Sequence, residues 1–102
     1  MVNRAHMRAH PKFPRLYHAG VRFKREPKGV ETFVDAATCN WQGHGDCAHL
    51  AAWRAAELIE RDHEPATLMI RWRRRRYPKL FHVVVRRADQ SIEDPSRKLG
   101  MK

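Results

Sequence analysis

The sequence predicts an α+β domain in which one main helix packs on a small antiparallel sheet, preceded by an extended basic arm. Three observations carry that reading. Apolar residues recur at helical spacing from Cys47 to Arg61, and the pattern changes to alternation beyond Pro65. A length of 102 residues with 42% hydrophobic content suffices for one modest core and no second.

Residues 1–30 combine Pro11, Pro14, Pro27, Gly20 and Gly29 with many cations and little periodicity. They read as an arm without a core of its own, holding at most one short strand over 17–23. Residues 31–102 read as a single domain. It opens on the acidic lead-in Glu31 to Asp35 and a loop from Cys39 to Gly45. Asp46 then caps a helix over 47–61, whose stripe of Ala51, Ala55, Leu58 and Ile59 extends up to Cys47. Thr67 to Trp72 and Lys79 to Arg86 read as strands, and in the second His82, Val84 and Arg86 share the face opposite Phe81, Val83 and Val85. Gln90 to Asp94 reads as a third strand after a turn at Ala88-Asp89-Gln90. Pairing symmetrically about that turn sets 86 near 91 and 82 near 95, which makes His82 and Asp94 neighbours.

The charge of +10 is segmental. Residues 1–30 carry eight Lys/Arg against Glu26 alone and residues 71–87 carry eight against none, whereas residues 31–64 hold seven acids against Arg54 and Arg61. Such blocks attract polyanions, either nucleic acid or an acidic protein face, and Arg73, Arg74, Arg75 and Arg76 are the candidate polyanion-binding residues. The bland alternative is a solvated face, since no aromatic interleaving or recognition-helix pattern accompanies the tetrad. No run of 18 apolar residues exists and residues 1–6 lack a signal-peptide stretch, so neither membrane contact nor secretion is expected. Cys39 and Cys47 are expected to be reduced, in a cytosol-like compartment.

The chemistry centres on Cys47, which stands at the first turn of its helix after Gly45-Asp46. Unpaired backbone N–H groups there favour thiolate, and a helix-start thiol can have its pKa lowered from ~8.5 to between about 3.5 and 7.5. His82 and Asp94 follow in order as base and orienter. Each also has a plain structural reading: a small buried cysteine, a strand histidine under a loop, and a cap on the turn through Pro95-Ser96. His49 is the other imidazole near the thiol, but two residues along a helix turn it about 200° away. Cys39, His44, Cys47 and His49 could form a zinc set, yet no Cys-x2-Cys or His-x3-His spacing is present, so no metal and no cofactor is expected.

Gly45-Asp46-Cys47, Leu50-Ala51-Ala52-Trp53-Arg54, His82-Val83-Val84-Val85 and Ile92-Glu93-Asp94-Pro95-Ser96-Arg97 together resemble the transglutaminase-like branch of the papain-like cysteine peptidase superfamily. The similarity spans about residues 40–100 and is greatest to the short forms encoded among tailed-bacteriophage structural genes. It implies a papain-like core, with Cys47 as nucleophile, His82 as general base and acid, and Asp94 as orienter. It further implies an oxyanion donor some six residues before the thiol, for which Trp41 and Gln42 are the candidates, with glutamine one residue off the usual spacing. The function it implies is a cysteine-dependent peptidase or acyl-transfer enzyme acting on a protein or peptide, in the host cytoplasm or the virion. The alternatives are a structural component of a phage head, neck or tail with an unused triad, contacting other phage structural proteins or DNA, and a plain nucleic-acid-binding module.

Overall fold

The computed structural model describes residues 2–24, 35–73 and 80–101. Their architecture is α+β, organised around a 15-residue helix, α3 (Cys47–Arg61), that is apolar on two sides and buried between two layers. Ala51, Ala55 and Leu58 face Val83 and Val85 of the sheet. Leu50, Trp53 and Ala56 face the other way, into a cluster with Met7, Phe13, Leu16, Val21, Ala36, Cys39 and Leu99. The predicted stripe is thus half of what the helix buries. Small alanines on the sheet side let the helix approach β4 closely, and the bulk of Trp53 fills the opposite side.

The sheet is formed by β3 (Ala66–Arg73), β4 (Leu80–Arg87) and β5 (Ile92–Glu93), in that order and antiparallel throughout. Its register differs by one residue from the expected one: Arg86 pairs with Ile92 and Val85 with Glu93. The cause is the turn, in which Gln90 takes φ +72° while Arg87 N–H donates to the Ser91 carbonyl at 2.9 Å. The turn is the expected Ala88-Asp89-Gln90, with its last residue left-handed, and a three-residue loop centred on Asp89 sets 86 opposite 92, where 91 was expected.

The N-terminal segment departs most from expectation. It is not an extended arm among its described residues. Helix α1 (Val2–Ala9), a 3-10 turn at Leu16–His18 and the strand β1 (Arg22–Phe23) fold onto α3. Met7, Phe13, Leu16 and Val21 are buried there, one apolar side chain per turn or bend, a spacing with no period for a sequence reading to detect. Its cations are engaged internally as well. Arg4 and Arg8 pair with Glu60, and Arg15 pairs with Asp62 at 2.7 Å, so the basic start and the acidic end of α3 complement each other.

Two further short helices went unread. Helix α2 (Ala36–Gln42), expected as loop from Cys39 onward, starts at Asp35, whose carboxylate accepts the Thr38 N–H at 2.9 Å, and ends at Gly43. Helix α4 (Pro95–Lys98) follows Asp94 where a turn was expected. The lead-in 31–34 and residues 74–76 of the arginine tetrad lie outside the described residues, as does the side chain of Arg73.

Candidate functional site

The loop before Cys47 is tied down by backbone bonds. Strand β1 lies parallel to β2 (His44–Gly45): Arg22 N–H donates to the Gly43 carbonyl at 3.1 Å and Lys24 N–H to the Gly45 carbonyl at 2.9 Å. The next N–H in β1, that of Phe23, donates to Leu99 at 2.9 Å. Residues 22–24 therefore join the loop before Cys47 to the C-terminal end of α4, the helix that Asp94 caps at its start. Gly45 is required by close approach, because a Cβ there would lie 3.0 Å from Cys39 Sγ and 3.2 Å from Leu50 Cδ2. Buried Cys39 is thus a packing partner of the loop, and neither cysteine is bridged.

Helix α3 begins with a reciprocal cap. The Asp46 carboxylate accepts the Ala48 N–H at 3.1 Å, and the Asp46 N–H donates to His49 Nδ1 at 3.4 Å. His49 is buried in this capping role, so its imidazole is no rival to His82. Cys47 is half-buried against the Val83–Ala51 cluster. Strand β5 pairs only with Val85 and Arg86, which leaves that side of β4 open at Val83, whose N–H is near enough to Cys47 to favour its thiolate.

The expected thiolate is not what this environment favours. Burial pushes the Cys47 thiol up to about 11, and the neighbouring Asp46 carboxylate adds to the shift against the Val83 and Ala48 N–H groups. The cap that starts the helix is itself an anion, and it offsets the positive helix end on which the sequence argument relied.

The other two residues are brought together. His82 Nε2 and Asp94 Oδ2 lie 2.8 Å apart, with His82 buried and Asp94 partly exposed. Asp94 does two jobs at once, since its Oδ1 accepts the Arg97 N–H at 3.3 Å as the cap of α4. The one-residue change of register does not separate the pair, because β5 stops at Glu93 and the chain turns inward into α4. His82 adjoins Val83, whose N–H is near the thiol, but among the described residues no hydrogen bond joins Cys47 to the imidazole. Gln42 Nε2–H donates to the His44 carbonyl at 2.8 Å, and Trp41 is 88% exposed on α2; no described bond brings either to Cys47.

Behind Asp94 lies a network that the sequence reading missed. Buried Glu93 accepts from Arg54 Nε at 2.6 Å, from Tyr17 Oη and from Arg87 Nη1 at 3.3 Å. Arg54 also bonds Glu57, which is almost fully buried and accepts the Leu16 N–H at 2.7 Å. Burial alone would raise the Glu93 carboxyl, but the bonds from Arg54 and Tyr17 outweigh it and hold Glu93 below the usual range. Burial and the bond to Glu93 push the Tyr17 phenol up. This clamp fixes the residue next to Asp94, and the available signal was the inward position of Glu93 in the strand alternation.

Comparison with family models, with curated proteins and with solved structures finds no match to this chain. Among the described residues, no helix is long and apolar enough to cross a membrane.

Proposed function

We propose that Cys47, His82 and Asp94 form a thiol-dependent acyl-transfer site, acting as a peptidase or transferase on a protein or peptide. The observation that carries this reading is the 2.8 Å His82–Asp94 pair beside a half-buried thiol at a helix start. With Nε2 held by Asp94, Nδ1 is the ring nitrogen left to take the thiol proton. The resting thiol is neutral, so His82 must act as a general base at the moment of attack. The sulfur then bonds the acyl carbon and the imidazolium protonates the departing amine as the C–N bond breaks. The Cys47 N–H, which no described group occupies, suits the developing oxyanion. Water or a second amine, deprotonated by His82, attacks the thioester, and the C–S bond breaks to return the thiol. The test is p-nitrophenyl acetate with peptide mapping. Acetylation at Cys47 that disappears in His82→Ala is expected, and lysine acetylation with an unmodified Cys47 would end the proposal.

One observation favours a second reading, in which the triad is unused and the protein is structural; its place in a phage particle rests on the resemblance alone. Burial that keeps Cys47 protonated is what a purely structural cysteine would show.

A further inference from the structure

Every carboxylate among the described residues is already engaged. Glu57, Glu60, Asp62, Glu64 and Glu93 take arginines, Asp94 takes His82, Asp35 and Asp46 cap helices, and Asp89 takes Ser91. Among the described residues neither Arg22 nor Lys98 makes an ion pair with any of these carboxylates, although the Lys98 charge helps hold Glu93 ionised, and the two cations converge. Arg22 and Lys98 line one cleft of about 420 Å³ with Tyr17, Val21 and Leu99. Lys98 also lines a second cleft, of about 390 Å³, with Arg87, Arg97, Ser91 and Asp94. Arg22 is seated rather than loose: its guanidinium lies over Gly100, where an added Cβ would come within 2.8 Å of Nη2. Lys98 Nζ is held 4.9 Å from the centre of the Tyr17 ring. Two like charges lining one concavity favour an anion there.

We infer that these adjoining clefts along α4 form a docking groove for an acidic segment of another polypeptide. Carboxylates would meet Arg22 and Lys98 in the first cleft. In the second, which Glu93 and Asp94 also line, Arg97 Nε is shared with Asp94 Oδ2 at 3.5 Å and Arg87 is held by Glu64 and Glu93, so Lys98 is the cation there without an ion pair among the described residues. Chemistry favours peptide over nucleic acid. Base recognition on single strands needs an open aromatic face, but Tyr17 has Arg54 Cζ 5.0 Å from its ring centre, Lys98 also against the ring, and its hydroxyl bonded to Glu93. Helix α4, at four residues, is too short to enter a DNA groove. The groove rests on the catalytic reading only in its position beside Asp94; its binding does not need the thiol.

The test is fluorescence anisotropy of a labelled oligo-glutamate peptide with the full chain. Arg22 and Lys98 are both exposed, so their substitution leaves the core intact. Binding that weakens with salt is expected, together with a loss of about tenfold or more in Arg22→Ala/Lys98→Ala and less than about twofold in Arg71→Ala/Arg86→Ala. Cys47→Ala keeps full affinity whether the catalytic reading stands or falls. No peptide binding, binding unchanged in Arg22→Ala/Lys98→Ala, or an oligonucleotide of equal charge binding more tightly through the same two residues would overturn the inference.

Discussion

The two ends of α3 are built on opposite principles. At its C-terminal end Glu57, Glu60 and Asp62 are matched by Arg54, Arg4, Arg8 and Arg15, so charge does the holding. At its N-terminal end the holding is done by backbone bonds, the Asp46–His49 cap and close packing around Gly45, and the candidate nucleophile there, the Cys47 thiol, is kept neutral. Charge binds the outer segment to the helix, whereas at the mouth burial and the Asp46 carboxylate keep the thiol neutral, so that catalysis would need a base.

The largest effect is expected from breaking the charged end. Arg54→Met leaves Glu57 and Glu93 buried without their main partner, and chemical denaturation should show a loss of about 3–5 kcal/mol. A loss under about 1 kcal/mol would mean that the network contributes little. Gly45→Ala forces a Cβ onto Cys39 and Leu50 and should cost about 1–3 kcal/mol, with altered Cys47 alkylation as the sign that the mouth has shifted. Alkaline titration comes next. Because burial raises the folded thiol to about 11, Cys47 contributes stability fully below its ordinary value of 9.0 and loses it as pH rises through 11. Denaturation midpoints should fall across that window, and less steeply in Cys47→Ala. The smallest effect concerns α1. Arg8 and Arg4 hold Glu60 down to about 2, so the tie is present above 4.5 and lost as pH falls through about 2. Amide exchange in α1 should rise over that interval, and by less in Glu60→Gln, which lacks the titrating group.

Where local pattern and tertiary structure agree, the sequence was legible. Helix α3 begins and ends where its cap and stripe indicate, and the hairpin of β4 and β5 brings His82 to Asp94 despite the shifted register. Asp94 both meets His82 and caps α4 because a carboxylate has two oxygens. The N-terminal segment was illegible for a physical reason: Met7, Phe13, Leu16 and Val21 are fixed by a helix they meet only in three dimensions, and Pro11 and Pro14 interrupt any period. Its charge is divided in a way one dimension does not show, since Arg4, Arg8 and Arg15 pair with acids of α3 and its end, while Arg22 makes no ion pair among the described residues. The thiol's pKa was misjudged because helix position was weighed without burial and without the charge of the cap.

The most direct measurement is the pH profile of iodoacetamide alkylation at Cys47 in the wild type and in His82→Ala, with buried Cys39 as internal control. If His82 serves as base, the wild type should react at least about tenfold faster near neutrality, with the two curves converging towards pH 11, where burial places the thiol. Curves that coincide at every pH would mean that His82 does nothing for Cys47, and the site would then be structural.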